Sequence, residues 1–159
     1  MVYMKFRMNF GIVKTVILAV IVAGALAIIG VDIAMLAGEN TAEPAIAGVS
    51  LGAATLIAVA ALLVLFNSYY KFKDNQLVTV LGFFVDRINY DDVVCVKQNG
   101  ETKEIFLITT GVKPTDGDIS FRVNVSAQKT DDFIAALRGK IGDIIVEIFT
   151  LEKKDKNKK

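Results

Sequence analysis

The chain has 159 residues, 53% of them hydrophobic and 22% charged, with a formal net charge of +1. It lacks histidine and tryptophan and has one cysteine, Cys95, which excludes an internal disulfide framework and removes the commonest general base and metal ligand. A balance so near neutrality points to no polyanionic partner, and nucleic-acid binding is not expected.

The apolar excess is concentrated before Asn67, where only six residues are charged: Lys5, Arg7, Lys14, Asp32, Glu39 and Glu43. Thr15 to Val31 reads TVILAVIVAGALAIIGV without a charge. Extended back to Phe10, with Lys14 snorkelling, it makes a helix of about 33 Å against a hydrocarbon core of about 30 Å. Ala45 to Phe66, AIAGVSLGAATLIAVAALLVLF, is equally uncharged and equally long. Runs apolar on every face for this length are membrane helices rather than buried helices of a soluble fold. The sequence therefore predicts a transmembrane hairpin over residues 1–66, with helices at about 10–36 and 45–66. The AGENTAEP connection suits a tight turn, and Pro44 is placed to open the second helix.

Flanking charge sets the orientation. Lys5, Arg7 and Lys14 accompany the first helix, and Lys71 and Lys73 follow the second, whereas the connection carries only Glu39 and Glu43. Positive residues favour the cytoplasmic side. A two-pass protein of the cell membrane with both termini in the cytoplasm is expected. A cleaved signal peptide would share the basic start, but the apolar run is long and no clean A-x-A site follows it.

In the second helix, Gly48 and Gly52 form a G-x-x-x-G pair, and Ala54 and Ala58 repeat the spacing. Small residues one turn apart let another helix approach closely. The partner is the first helix, with Ala23, Ala27 and Gly30, or a second copy of the chain. No charge lies near the centre of either segment, so no ion or proton path is indicated. Asp32 is read as interfacial.

After Asn67 the apolar period becomes two. Tyr69–Lys73 and Leu77–Leu81 flank a turn at Asp74-Asn75-Gln76, and Gly82 interrupts the run before FFVDRINY. Val93–Gln98 and Glu104–Thr110 flank Asn99-Gly100, a strong hairpin signal. A loop with Gly111, Pro114 and Gly117 follows, then Ile119, Phe121, Val123 and Val125 alternate with polar residues. The period then lengthens. Ser126 is placed to cap a helix over Ala127–Arg138, with Phe133, Ile134, Leu137 and Ile141 on one face and Gly139 as its stop. Ile144–Leu151 suits a last strand or a helix. The class is α+β: a curved antiparallel sandwich or small barrel capped by a C-terminal helix over residues 67–149, with a basic, solvated tail over 150–159.

Three stretches carry a resemblance: YYKFKDNQLVTVLG, RINYDDV (Ile88, Tyr90, Asp92, Val93) and VNVSAQKTDDFIAAL with Phe133 and Leu137. Together they resemble the bacterial PH-like domains, many of which directly follow transmembrane helices and remain of unknown function. The likeness covers Ser68 to about Gly142, with Asn89 and Ala127 where members commonly have proline. It implies a seven-stranded sandwich or barrel plugged by the C-terminal helix. In eukaryotic PH domains the first hairpin holds inositol phosphates; here Gln76 and Thr79 add no basic group to Lys71 and Lys73. Phosphoinositide binding is not expected, and the two lysines are read as topology anchors.

No P-loop or G-x-G-x-x-G occurs. Cys95, among valines, is read as core. Asp91-Asp92 and Asp131-Asp132 fit a turn and a helix N-terminus. No catalytic residue, cofactor or metal is expected. The sequence reads as a non-enzymatic, membrane-anchored interaction module. It offers a sheet edge, or the groove between edge strand and helix, to another protein or to itself. The competing reading is an accessory subunit joined to a larger membrane complex through its helices.

Overall fold

A computed structural model describes residues 4–38, 44–111 and 117–150. The connection with Glu39 and Glu43, the turn with Pro114 and the tail beyond Thr150 lie outside the described residues. The architecture is α+β: two long apolar helices, two four-stranded sheets and a third helix. It divides into two compact units that do not follow chain order. One holds Phe10–Tyr69 with Thr79–Asp86; the other holds Met1–Asn9, Tyr70–Val78 and Arg87–Lys159.

The helical unit is built on α1 (Gly11–Ala37) and α2 (Pro44–Phe66), which pack along each other. Proline opens α2 as expected, since its missing N–H falls where no intrahelical acceptor exists. Buried residues are few and small: Ala25 and Asp32 on α1, and Ala47, Ala54, Ala58 and Ala61 on α2. The large apolar side chains, Ile12, Val20, Val49 and Leu56 among them, point outward. Only 11% of the most apolar stretch of α1 and 17% of that of α2 is buried. Both helices are long and apolar enough to cross a membrane, and neither has the burial of a soluble protein's core helix. Asp32 lies seven residues from Ala25, hence on the same face of α1, and is buried with Oδ2 lacking a partner among the described residues.

The strands are β1 (Lys5–Arg7), β2 (Ser68–Phe72), β3 (Gln76–Leu81), β4 (Phe84–Asn89), β5 (Val93–Asn99), β6 (Ile105–Thr109), β7 (Ile119–Val123) and β8 (Ile145–Phe149). They form sheets ordered β1-β2-β3-β4 and β7-β6-β5-β8. Neither sheet closes into a barrel. Two strands exceed the expected set. β1 comes from the segment before α1, and β8 resolves the Ile144–Leu151 question as a strand, parallel to β5 with Val96 opposite Val146. The third helix, α3 (Thr130–Ile141), is therefore not the last element.

Local differences have local causes. Asn99-Gly100 starts a longer loop instead of a two-residue turn. Asn99 is buried, and its Oδ1 accepts the N–H groups of Glu101 and Thr102 at 2.9 and 3.0 Å, while Gly100 N–H donates to Phe149 of β8 at 2.9 Å. Ser126 opens a short 3-10 turn, Ala127–Lys129, and makes no side-chain cap. α3 runs through Gly139 and stops at Gly142, whose φ of 82° lets its N–H return to the Arg138 carbonyl at 2.8 Å.

Candidate interaction groove

The second unit is organised around Phe133 of α3, which is fully buried. Its ring meets those of Phe6, Tyr70 and Phe72 edge-on, with centroids 5.3, 5.5 and 5.1 Å away, and Phe6 also meets Phe72 at 5.6 Å. The alternation Lys-Phe-Arg in β1 turns Phe6 inward between two exposed basic residues. Backbone bonds hold the segment at both ends: Phe72 N–H donates to Met4 at 3.0 Å, and Asn9 N–H to Asn124 at 2.8 Å. The residues before the first apolar helix thus belong to the core of the sheet unit.

Between β1, the edge strand of its sheet, and α3 lies a cleft of about 1040 Å³. Its wall on the helix side is made of Ala135, Ala136 and Gly139, small residues that leave room beside the strand. Phe72 and Met8, both buried, line its apolar interior. The rim carries both signs of charge, with Lys140 Nζ 3.2 Å from Asp74 Oδ1 and Lys129 Nζ 3.5 Å from Asp132 Oδ2, and with Lys5 and Arg7 of β1 adding to the basic side. An apolar trough beside an edge strand suits an extended polypeptide. A shallower cleft of about 500 Å³ lies between α3 and β8. Gln98 lines it, with Nε2 buried and without an acceptor among the described residues.

Tyr90 anchors the turn before β3. Its hydroxyl donates to the Lys73 carbonyl at 3.0 Å and its N–H to Asn75 at 3.1 Å. Burial, with the Asp74 charge second, pushes its phenol up to about 12. Tyr70 accepts the Asn124 N–H at 2.9 Å; burial raises its phenol, and that bond opposes the rise.

The residues singled out from the sequence fall in different places. Ala54 and Ala58 are buried in the helical unit, whereas Gly48 and Gly52 are exposed and a Cβ built on either meets nothing within 4 Å. Helix geometry explains the split: six residues from Gly48 to Ala54 leave the two positions about 120° apart around the helix, so the two pairs occupy different faces. Cys95 is buried in β5 and burial raises its thiol, with Glu147 adding to the rise. Asp91 and Asp92 lie in a 3-10 turn, where Asn89 Nδ2 donates to Asp92 at 3.1 Å, and Asp131 and Asp132 occupy the first turn of α3. Among the described residues no three His, Cys, Asp or Glu side chains come together as a metal-binding group. No protein-family model matches the chain, and no curated protein matches it in sequence.

Proposed function

We propose that this is a two-pass membrane protein with both termini in the cytoplasm, and that its sheet unit is a non-enzymatic docking module. The groove between β1 and α3 takes an extended segment of a membrane-protein partner or of a second copy. The groove itself carries this reading: it is apolar inside, rimmed by charges of both signs with basic residues in excess, and bordered by an edge strand. β1 supports two passes. The segment before α1 shares a compact unit with most of the chain after α2, and an even number of crossings leaves them on one side. Lys5, Arg7, Lys71 and Lys73 favour the cytoplasm for that side. Cleavage after α1 would remove Phe6 from the core, which argues against a signal peptide. The run of strands followed by α3 is also what the resemblance to bacterial PH-like domains implies.

A second reading has its own support. Gly48 and Gly52 leave open space on an exposed face of α2, suited to a helix of another subunit. Size analysis of the detergent-extracted protein separates the two. Ala135→Arg with Gly139→Arg fills the groove from exposed positions of α3; Gly48→Ile with Gly52→Ile blocks the helix face. The groove reading expects the first pair alone to dissolve the assembly. Loss with the second pair alone supports the helices, and an assembly untouched by both overturns both.

A further inference from the structure

The turn between β3 and β4 belongs to the helical unit and is fastened to the last turn of α2. Gly82 N–H donates to the Asn67 carbonyl at 3.0 Å and to Ser68 Oγ at 3.2 Å, and Asn67 Nδ2 returns to the Gly82 carbonyl at 2.7 Å. Ser68 Oγ in turn donates to the Val64 carbonyl at 2.6 Å. Only glycine serves at position 82. Its φ is 64°, and a Cβ there would stand 3.2 Å from the Val64 backbone nitrogen and 3.1 Å from Val64 Cγ2. The turn is thus level with Leu63–Asn67, the end of the apolar run, a stretch of about 6 Å along the helix.

What this turn displays is apolar. Phe83, Phe84 and Val85 are 58%, 64% and 56% exposed, the two rings lie 4.2 Å apart, and Phe66 at the end of α2 is 72% exposed. An exposed aromatic pair on a strand turn is costly in water. Here it continues the outward apolar surface of α2, at the height where aromatic side chains gather at membrane boundaries. The first charged residue after the tip is Asp86, two to three strand residues away, about 7–10 Å. That matches the depth to which interfacial elements enter a leaflet.

We infer that the Gly82–Val85 tip is a third membrane-seated element, a re-entrant wedge lodged among the lipids of the leaflet where α2 ends. This rests on α1 and α2 crossing the membrane. Its partner is the bilayer itself, recognised through apolar contact and independent of headgroup charge. The wedge gives the hairpin a fixed depth and rotation that two featureless helices lack.

Because the chain has no tryptophan, a single one reports its own surroundings. The full chain carrying Phe84→Trp, and separately Leu56→Trp on the exposed face of α2, is reconstituted in phosphatidylcholine vesicles with and without brominated acyl chains. Both tryptophans are expected to emit in the blue and to lose about half or more of their fluorescence to bromine. Quenching at position 56 with water-like, unquenched emission at 84 overturns the wedge and leaves the membrane reading standing. No quenching at either position overturns both. Adding anionic lipid is expected to leave the quenching unchanged; quenching that appears only with anionic lipid overturns the apolar basis of the contact.

Discussion

Tyr90 shows how one side chain of the RINYDDV stretch holds a turn distant from it in sequence. Its phenol, raised to about 12 against an ordinary 10.0, stays protonated in the folded chain after the unfolded chain has lost its proton. Below pH 10 both states hold the proton and the contribution is whole; between about 10 and 12 it is lost as pH rises. Tyr70, raised by burial, acts in the same direction. Tyr90→Phe is therefore expected to flatten part of the stability loss above pH 10, and to cost about 1 kcal/mol near neutrality through the missing Lys73 bond. Denaturation of the detergent-solubilised chain across pH checks both; an unchanged alkaline profile would show that Tyr90 titrates alike in both states. The RINYDDV stretch around Tyr90 stood out in the sequence as part of a family resemblance. Its bond to Lys73 did not, because that depends on how two turns meet.

At the level of elements, legibility followed composition. α1 and α2 were plain because they are apolar on every face, which a linear scan detects. β1 was illegible: three residues are too few for a period, and Lys5 and Arg7 already had a sufficient explanation as flanking charges. β8 was ambiguous because IIVEIF fits either period, and its parallel pairing to β5 depends on the return path through α3. Gly139 was a plausible helix stop, yet Gly142 is the residue whose backbone turns back. A groove between an edge strand and the helix was expected, but not that its strand would be β1, since its walls come from residues 4–9 and the helix at 130–141. Phe133 ties these elements together. Phe133→Ala is expected to cost about 3–5 kcal/mol, a large share of a small domain's stability. Phe6→Ala, losing a partly buried ring and two edge-on contacts, is expected to cost about 1–2 kcal/mol. Urea unfolding followed by protease susceptibility of the sheet unit measures both. If Phe6→Ala leaves the midpoint unmoved, β1 is not part of the cooperative core.

On the scale of the whole molecule, the two compact units exchange chain several times, so the order of residues is a poor guide to what folds with what. A split at Asn67 follows composition along the chain, while the contacts regroup it around Phe133 and around the helix pair. The orientation can be tested without disturbing either. A membrane-impermeant maleimide should label Asn40→Cys in intact cells. Cys95, buried in β5 with its thiol raised by burial, should stay unlabelled until the protein is denatured. Labelling at position 40 only after the cells are broken would reverse the topology.

The seating of Phe6 also bears on how such a chain is made. Synthesis delivers β1 first, then threads both helices, and only afterwards supplies β2 and α3, between which Phe6 must lodge. The nascent sheet domain therefore waits for a strand translated before the membrane was ever engaged. On the proposed two-pass topology, a chain in which only one helix crossed would leave β1 across the bilayer from the strands it joins, with the place of Phe6 beside Phe133 unfilled. Insertion and folding are coupled in that topology, because the core closes only when both helices have crossed.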